Sequence, residues 1–353
     1  MPTALEKVFG GREHMGEYAG AVTPAHFGDV RAEYEALRRS GAVFDLNWRS
    51  KLALTGGDRV RWLNGMVTNN IRDLATGHGV YAFLLNPQGK ILGDLYAYNL
   101  GEAIVIDTDH SQRAKIAGTF DHYIIMDDVE VADLDGRYAA FGMGGPQAQS
   151  ILEKAGFVLP ALSLLQAADI AWQGHSLKVI RSEQEQYAEF ELWFAPELAA
   201  AVWEALGNAG AHPVGSEALD LLRIARGTPR YGQDIRERDL PQETEQQRAL
   251  NFNKGCYVGQ EIVERIRSRG NVHRKFTGFI VNGPVLTAGA KIEAEGKEVG
   301  EITSSVALPT TEGEAVVALG YVRREILTLK KDLLVSGTRV TAADLPFADE
   351  LSA

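Results

Sequence analysis

One segment of the chain combines its only cysteine with glycines and a lysine. Residues 253–261 read Asn-Lys-Gly-Cys-Tyr-Val-Gly-Gln-Glu. Gly255 and Gly259 permit backbone conformations that other residues avoid, and helical spacing of the apolar residues predicts a helix from about Gly259. Cys256 would then precede a helix N-terminus and lie near Lys254, and both features favour a thiolate. The alternative interpretation is a buried, inert cysteine in a turn.

A cluster of basic residues follows this segment. Residues 262–275 hold five basic residues against Glu264, a local net charge of +4 on a chain whose net charge is -11. The basic residues are Arg265, Arg267, Arg269, Arg274 and Lys275. This concentration favours a site for an anion, such as a carboxylate tail, a phosphate or a short RNA. The alternative is a solvated helix end.

Composition restricts the class of protein. The chain has 353 residues, 45% of them hydrophobic and 24% charged, which is typical of a globular protein with two or three domains. The net charge of -11 argues against a general binder of nucleic acid or acidic membrane. A single cysteine provides neither an internal disulfide nor a CxxC metal site. The chain shows no secretory signal and no membrane-length apolar stretch, so we expect a cytoplasmic protein. The sequence shows no complete metal site, so we also expect no metal.

The apolar pattern predicts helices that alternate with groups of short strands. Helical spacing predicts an amphipathic helix over 27–40 and another that is capped by Asp58. Further helices are predicted over 111–126, 146–155, 196–206 and 217–226. Strands are predicted within 80–107, 128–142 and 168–194.

Three other parts of the chain differ from this pattern of alternating helices and strands. Residues 1–25 are predicted to be a loose lead-in, and the end from about 345 is predicted to be frayed. Residues 227–260 have little periodicity, and long irregular segments of this kind are often functional. From Lys275 onward, short β-like runs split by turns predict a small β-barrel or sandwich.

The segment around Cys256 resembles a known signature. Residues 254–261 read K-G-C-Y-V-G-Q-E and fill every position of the K-G-C-[FY]-x-G-Q-E pattern of the YgfZ family. YgfZ proteins bind folate and take part in the assembly or repair of iron–sulfur proteins. The resemblance therefore implies tetrahydrofolate as the cofactor and iron–sulfur client or assembly proteins as partners.

Shorter matches extend the resemblance, from about residue 27 to 340, to the glycine cleavage T-protein superfamily. They occur in the family's order and are Phe44–Leu46, Thr68–Asn70, Leu85–Leu95, Phe190–Leu192, Tyr231–Ile235 and Gly300–Ser304. The resemblance implies an α+β fold of three domains arranged as a ring around a folate channel. The implied parts are a lead-in (1–25), two interleaved folate-binding domains (26–245), the signature segment (246–275) and a C-terminal β-barrel (276–345).

The resemblance also assigns roles to single residues. Glu191 matches the glutamate of the F-E-L motif that holds the pterin, because a carboxylate can accept two neighbouring N–H groups; it is otherwise an exposed strand residue. Asp94 matches the second aspartate of an Asp-Asp pair that orients the reactive amine and stabilises positive charge, although Gly93 replaces the first. Tyr81 is a candidate to stack on the pterin or bind folate, or else a core residue.

Basic and amide side chains complete the candidate site. Arg223 and Arg226 are three residues apart on a predicted helix, so they share a face that could clamp the folate tail or brace Asp220. Lys254 and Gln260 are candidate folate-binding residues within the signature segment.

Three functions remain open. The favoured one is a tetrahydrofolate-binding accessory protein for iron–sulfur proteins, with Cys256 functional. The alternative is an aminomethyltransferase or demethylase that transfers a one-carbon unit to tetrahydrofolate through Asp94. The chain lacks the Gly-Tyr-Thr-Gly-Glu-Asp-Gly run that precedes F-E-L in T proteins, which counts against glycine cleavage. RNA or partner binding through residues 262–275 is disfavoured by the acidic composition and the absence of an aromatic RNA-binding strand.

Overall fold

A computed structural model describes residues 8–9, 14–186, 188–270, 272–310, 313–329 and 331–347. The chain divides into two compact units, one of residues 1–82 with 95–219 and the other of residues 83–94 with 220–353. Each unit is a mixture of helices and strands, as the sequence predicts.

The strands of the described residues have between three and 14 residues, and several consecutive strands are joined by tight turns. They are β1 His14–Tyr18, β2 Ala21–His26, β3 Ala42–Asp45, β4 Arg49–Thr55, β5 His78–Leu85, β6 Ile91–Asn99, β7 Ile104–Asp109, β8 Glu130–Asp133, β9 Ala139–Gly144, β10 Ala167–Trp172, β11 His175–Arg181, β12 Phe190–Phe194, β13 His212–Val214, β14 Arg274–Val281, β15 Lys291–Ala294, β16 Lys297–Thr310, β17 Gly313–Arg323, β18 Leu333–Val335 and β19 Thr338–Ala343.

The helices of the described residues follow the predicted order. They are α1 Val30–Arg39, α2 Arg59–Met66, α3 His110–Tyr123, α4 Ala148–Lys154, α5 Ala199–Asn208, α6 Ser216–Ala225, α7 Gln260–Arg269 and α8 Arg324–Leu329. Short 3₁₀ turns occur at Pro196–Leu198, Pro241–Glu243 and Gln247–Ala249. Apart from the last two of these turns, the described residues between α6 and α7 form no helix or strand. This confirms the predicted irregular segment.

The first unit contains a six-stranded sheet in the order β10-β11-β12-β9-β3-β13. Only β13 runs parallel to its neighbour, β3, and the other pairs are antiparallel. A second sheet has the order β5-β6-β7-β4-β8. Buried side chains from both sheets form one layer, with Tyr98 and Val105 from the second sheet and Ile180 and Trp193 from the first. This layer supports the candidate site described below.

The second unit contains a closed barrel in the order β14-β17-β16-β15-β18-β19. Its core includes Phe279, Ile292, Ile302 and Val340. Closure pairs β14 with both β17 and β19, so neither of these strands is left with an open edge. The predicted C-terminal barrel is therefore confirmed.

Two local expectations differ from the structure. Asp58 precedes α2 but makes no capping hydrogen bond, because its Oδ2 accepts from the backbone N–H of Asp128 at 3.0 Å. The lead-in over 1–25 was expected to be loose, but residues 14–25 belong to the β1–β2 hairpin, and Tyr18 makes a T-shaped contact with Trp48 at a centroid distance of 5.0 Å. Such a hairpin depends on contacts outside its own sequence, which local patterns do not show. Residues 1–7 and 10–13 of the lead-in lie outside the described residues.

Candidate functional site

Glu191 lies on β12, in the middle of the six-stranded sheet. Its neighbours across the sheet are Ile180 on β11 and Gly142 on β9. Phe190 and Leu192 point into the hydrophobic core of the first unit. Because side chains alternate along a strand, Glu191 shares the opposite face with Trp193, which belongs to the layer between the two sheets.

The indole of Trp193 holds one oxygen of the Glu191 carboxylate. Trp193 Nε1 donates a hydrogen bond to Glu191 Oε2 at 3.0 Å. Burial is the main cause that raises the pKa of Glu191, and the negative charge of Asp107 adds to it. The opposite charges of Arg49 and Lys51 and the indole hydrogen bond act to lower it. Glu191 is half-buried, so it retains some access to solvent.

Two neighbouring strands of the same unit, β4 and β7, carry ion pairs that act on the Glu191 carboxylate. Arg49 and Lys51 on β4 face Asp109 and Asp107 on β7 as cross-strand neighbours. Arg49 Nε donates to Asp107 Oδ2 at 2.8 Å and Nη1 donates to Asp109 Oδ1 at 3.2 Å. Lys51 Nζ is 3.4 Å from Asp107 Oδ1. Burial disfavours the charge of Arg49, but Asp107 and Asp109 outweigh burial and raise its pKa well above the usual value.

Aromatic rings surround these charges. The Arg49 guanidinium lies 5.3 Å from the ring centroid of Tyr96 and 5.5 Å from that of Trp48. Lys51 Nζ lies 4.5 Å from the ring centroid of Trp193. Tyr81 is buried, and its ring centroid is 5.1 Å from that of Tyr96. The result is a carboxylate beside cations and ring faces, which suits a planar heteroaromatic ligand that carries N–H donors.

Sequence reasoning found Glu191 and Tyr81 in this cluster but missed Arg49, Lys51 and Asp107. Charged residues at alternating positions, Arg49-Ser50-Lys51 and Asp107-Thr108-Asp109, lie inside otherwise apolar strands. That pattern was the available signal, because charged side chains are rarely buried unless they are paired.

The signature segment belongs to the second unit, where two glycines allow a close approach. Gly259 has a φ of +81°, and a Cβ at this position would lie 2.6 Å from the Asn86 carbonyl oxygen. A Cβ at Gly89 would lie 2.8 Å from the Ile262 Cβ. The turn at 86–89 and the segment at 253–261 therefore pack together, although the sequence presents them as separate motifs.

Cys256 is exposed, so the interpretation as a buried cysteine is wrong. Lys254 is buried, and its Nζ lies 5.0 Å from the ring centroid of Tyr257. Burial, with a smaller contribution from Glu264, raises the pKa of Tyr257 to about 12. Gln260 is half-buried and is the first residue of α7, which begins as predicted.

Asp94 lies on β6 and is half-buried between two buried positions, Gly93 and Leu95. It belongs to the second unit, whereas Glu191 and Tyr81 belong to the first. The catalytic role of Asp94 and the ligand roles of the other predicted residues stay predictions.

Arg223 is engaged by acidic and hydroxyl groups of the second unit. Its Nε donates to Asp220 Oδ1 at 2.5 Å, and its Nη1 donates to Asp234 Oδ2 at 2.7 Å. Its Nη2 donates to Ser304 Oγ at 3.1 Å. Arg223 therefore does brace Asp220. Arg226 is half-buried and follows α6 directly, with its backbone N–H bonded to the Leu222 carbonyl at 2.9 Å.

Several members of the basic cluster at 262–275 have acidic partners. Arg274 contacts Asp239 at 2.5 Å and Glu243 at 3.0 Å. Lys275 lies 3.4 Å from Glu245. Arg267 lies 3.5 Å from Glu264. These partners offset much of the local positive charge, which weakens the case for an anion site; the side chain of Arg269 lies outside the described residues.

In the described part of the chain, no helix is both long and apolar enough to cross a membrane. No group of three or more His, Cys, Asp or Glu side chains among those residues could hold a metal ion.

Comparison with known proteins identifies the family. The model of the GCVT N-terminal domain matches residues 8–254, which is well over half of the chain. The chain belongs to the glycine cleavage T-protein superfamily. It is 30% identical over 314 residues to an aminomethyltransferase of Rubrobacter xylanophilus, covering 88% of this chain and 83% of that protein. It is 30% identical over 334 residues to an aminomethyltransferase of Rippkaea orientalis, covering 88% and 86%.

A solved structure shows the same fold. The glycine cleavage system aminomethyltransferase T from Bartonella henselae matches with a TM-score of 0.85 at 24% identity, covering 97% of this chain and 95% of that chain. The predicted α+β T-protein fold with a C-terminal barrel is thereby confirmed. These T-protein relatives are named aminomethyltransferases, and they do not confirm the predicted YgfZ assignment.

Proposed function

We propose that this protein binds a tetrahydrofolate as its substrate and transfers a one-carbon unit to it, in the manner of an aminomethyltransferase. The observation that carries the proposal is the Glu191 carboxylate, which is held through one oxygen by Trp193 among buried ion pairs and aromatic rings. The relatives that span most of the chain are named aminomethyltransferases, which supports the same activity.

The donor set of the first unit suits a pterin. A pterin presents a 2-amino group and a ring N–H side by side, and a carboxylate can accept both. Oε2 of Glu191 already accepts from Trp193, and no protein hydrogen bond to Oε1 is made within the described residues. Oε1 is therefore available to one N–H of the ligand, and Oε2 retains a second lone pair that can accept the neighbouring N–H.

Asp94 is the proposed catalytic carboxylate. A carboxylate near the folate nitrogens would orient the amine and stabilise the positive charge that develops during transfer. Gly93 stands where T proteins have the first aspartate of the pair, so Asp94 would act without that neighbour.

Calorimetric titration with tetrahydrofolate tests the binding step. We expect Glu191→Gln to weaken binding by roughly 1.5–3 kcal/mol, because a hydrogen bond to a charged group is lost. Glu197→Gln, which removes the same charge from an exposed position of the same unit, should bind like the wild type. An unchanged dissociation constant in Glu191→Gln would remove Glu191 from the site.

A one-carbon transfer assay tests the chemistry. We expect Asp94→Asn to retain tetrahydrofolate binding while the formation of the one-carbon folate derivative falls by about 10²-fold or more. Turnover that survives in Asp94→Asn would contradict the assigned role.

A second candidate function is the folate-binding accessory role for iron–sulfur proteins that the YgfZ signature implies. The observation that favours it is the exposed Cys256 in a segment that fills every position of the YgfZ signature. In cells that lack the wild-type protein, Cys256→Ala should then fail to restore iron–sulfur enzyme activity, with the tetrahydrofolate dissociation constant unchanged. Full restoration by Cys256→Ala would contradict the accessory role, and the aminomethyltransferase activity would then be the one remaining proposal.

A further inference from the structure

The indole of Trp193 contacts two opposite charges at once. Its N–H donates to Glu191 Oε2 at 3.0 Å, and its ring face lies 4.5 Å from Lys51 Nζ. The three side chains thus form a line from a buried ammonium, through an aromatic ring, to the candidate ligand-binding carboxylate.

This line is held rigidly by its surroundings. Trp193 is 1% exposed and Lys51 is 5% exposed, so neither can move without disturbing the layer between the sheets. The Trp193 ring makes a T-shaped contact with the Tyr98 ring, with centroids 5.6 Å apart. Lys51 Nζ is also 3.4 Å from Asp107 Oδ1, and Arg49 Nε fixes the other oxygen of Asp107 at 2.8 Å.

The contacts reinforce one another electrostatically. A cation over an aromatic face draws electron density toward itself, and in a low-dielectric interior this interaction is stronger than in water. The indole N–H becomes a better donor as a result. A stronger hydrogen bond to a carboxylate favours its ionised form and restricts its orientation.

We propose that Trp193 and Lys51 are positioning residues for Glu191: the indole N–H orients the carboxylate, and the Lys51 ammonium favours its ionised form both by its own charge and through the indole ring. Oε2 then accepts the indole N–H, and Oε1 remains to accept an N–H of the ligand. The inference takes the identity of the ligand from the proposed function, but the contacts among the three side chains do not depend on which ligand binds.

The titratable and charged groups that act on Glu191 come from three strands of the second sheet. They are Asp107 from β7, Arg49 and Lys51 from β4, and Tyr98 from β6. Burial and the charge of Asp107 raise the pKa of Glu191, whereas Lys51 and the indole N–H lower it. Loss of either lowering contribution should therefore raise the pKa of Glu191 further.

The first experiment is a ¹³C NMR titration of glutamate carboxyl groups in the ligand-free protein. The Glu191 resonance is assigned by its absence in Glu191→Gln. We expect Trp193→Phe, which keeps an aromatic ring but removes the N–H, to raise the titration midpoint of Glu191. Lys51→Met should raise it as well. Trp172→Phe is the matched control, because Trp172 is a buried tryptophan of the same sheet whose N–H bonds to the Ala155 carbonyl at 3.0 Å.

The outcomes separate the parts of the proposal. An unchanged Glu191 midpoint in Trp193→Phe would overturn the positioning role of the indole. A shift in Trp193→Phe with none in folded Lys51→Met would overturn the part assigned to Lys51. Should Lys51→Met fail to fold because Asp107 loses a partner, Lys51→Arg keeps the charge, and we expect it to retain the wild-type midpoint; a raised midpoint in this variant would count against the proposal.

Tetrahydrofolate binding from about pH 5 to about pH 8 links the inference to function. An ionised Glu191 is required to accept the ligand N–H groups, so the acidic limit of binding should move to higher pH in Trp193→Phe. At the acidic end, binding should be weaker by about tenfold, while Trp172→Phe follows the wild type. If the wild-type protein does not bind tetrahydrofolate, the proposed function is wrong. The NMR titration would still decide whether Trp193 and Lys51 position Glu191.

Discussion

Asp234 and Ser304 are 70 residues apart in the chain, and their side chains are joined by a 2.7 Å hydrogen bond from Ser304 Oγ to Asp234 Oδ1. Thr303 Oγ1 donates to the same oxygen at 2.5 Å, and Arg223 Nη1 donates to the other oxygen at 2.7 Å. Two of the short motifs found in the sequence, 231–235 and 300–304, therefore meet at one buried carboxylate. Their shared role in the second unit is to tie the irregular segment to the barrel.

Asp234→Ala should destabilise the protein strongly. Asp234 is fully buried, and its removal takes the acceptor from Arg223 Nη1 and from the hydroxyls of Thr303 and Ser304, at a cost of about 3–5 kcal/mol. Urea unfolding measures the change in the free energy of unfolding. Asp332→Ala, which breaks an exposed pair with Arg339 in the same unit, should leave stability unchanged. Equal effects in the two variants would contradict the assigned role.

The stability contributed by Asp45 should depend on pH. Burial raises the pKa of Asp45, and hydrogen bonds from Thr23 and Asn47 offset this only in part. The folded protein thus binds this proton more tightly than the unfolded chain, so the contribution is greatest below the unfolded pKa and is lost as pH rises through the folded pKa. The free energy of unfolding of the wild type minus that of Asp45→Asn should fall as the pH rises above about pH 4, the usual aspartate value. A difference that is constant or grows with pH would rule this out.

Gly259→Ala should lower the free energy of unfolding by more than its positive φ alone explains. Gly259 and Gly337 have φ values of +81° and +83°, but only at Gly259 would a Cβ meet a backbone atom, the Asn86 carbonyl oxygen at 2.6 Å. Gly337→Ala is the matched control, since nothing lies within 4 Å of its Cβ position. In urea unfolding, we expect Gly259→Ala to be less stable than Gly337→Ala by about 1–3 kcal/mol, the usual cost of forcing atoms into a packed site. Similar losses would show that the turn at 86–89 yields without strain.

Cys256 should react with a thiol reagent in the native protein. It is the only cysteine and it is exposed, so one equivalent of 5,5′-dithiobis(2-nitrobenzoate) should be consumed without denaturant. Cys256→Ser should consume none and should unfold at the same urea concentration as the wild type, because an exposed side chain contributes little to packing. A thiol that reacts only after denaturation would contradict the exposed position.

The sequence by itself determined the class of fold and most of the elements. Helical spacing marked α1, alternating and β-rich runs marked the strands and the barrel, and Gly259 marked the start of α7. These features are local, because residues close to one another in the sequence determine whether a segment forms a helix or a strand. Glu191 was a candidate only through the resemblance of Phe190–Leu192 to the F-E-L motif, since alternation along the strand fits an exposed residue equally well.

Only the tertiary structure decided which polar groups meet. The pairing of Arg49 with Asp109 and of Lys51 with Asp107 depends on the register of β4 against β7, which a turn-by-turn pattern does not specify. The contact of Lys51 with Trp193 depends further on how two sheets pack. Such contacts join residues far apart in the chain, and they form because a buried charge or N–H group must find a partner when burial removes it from water.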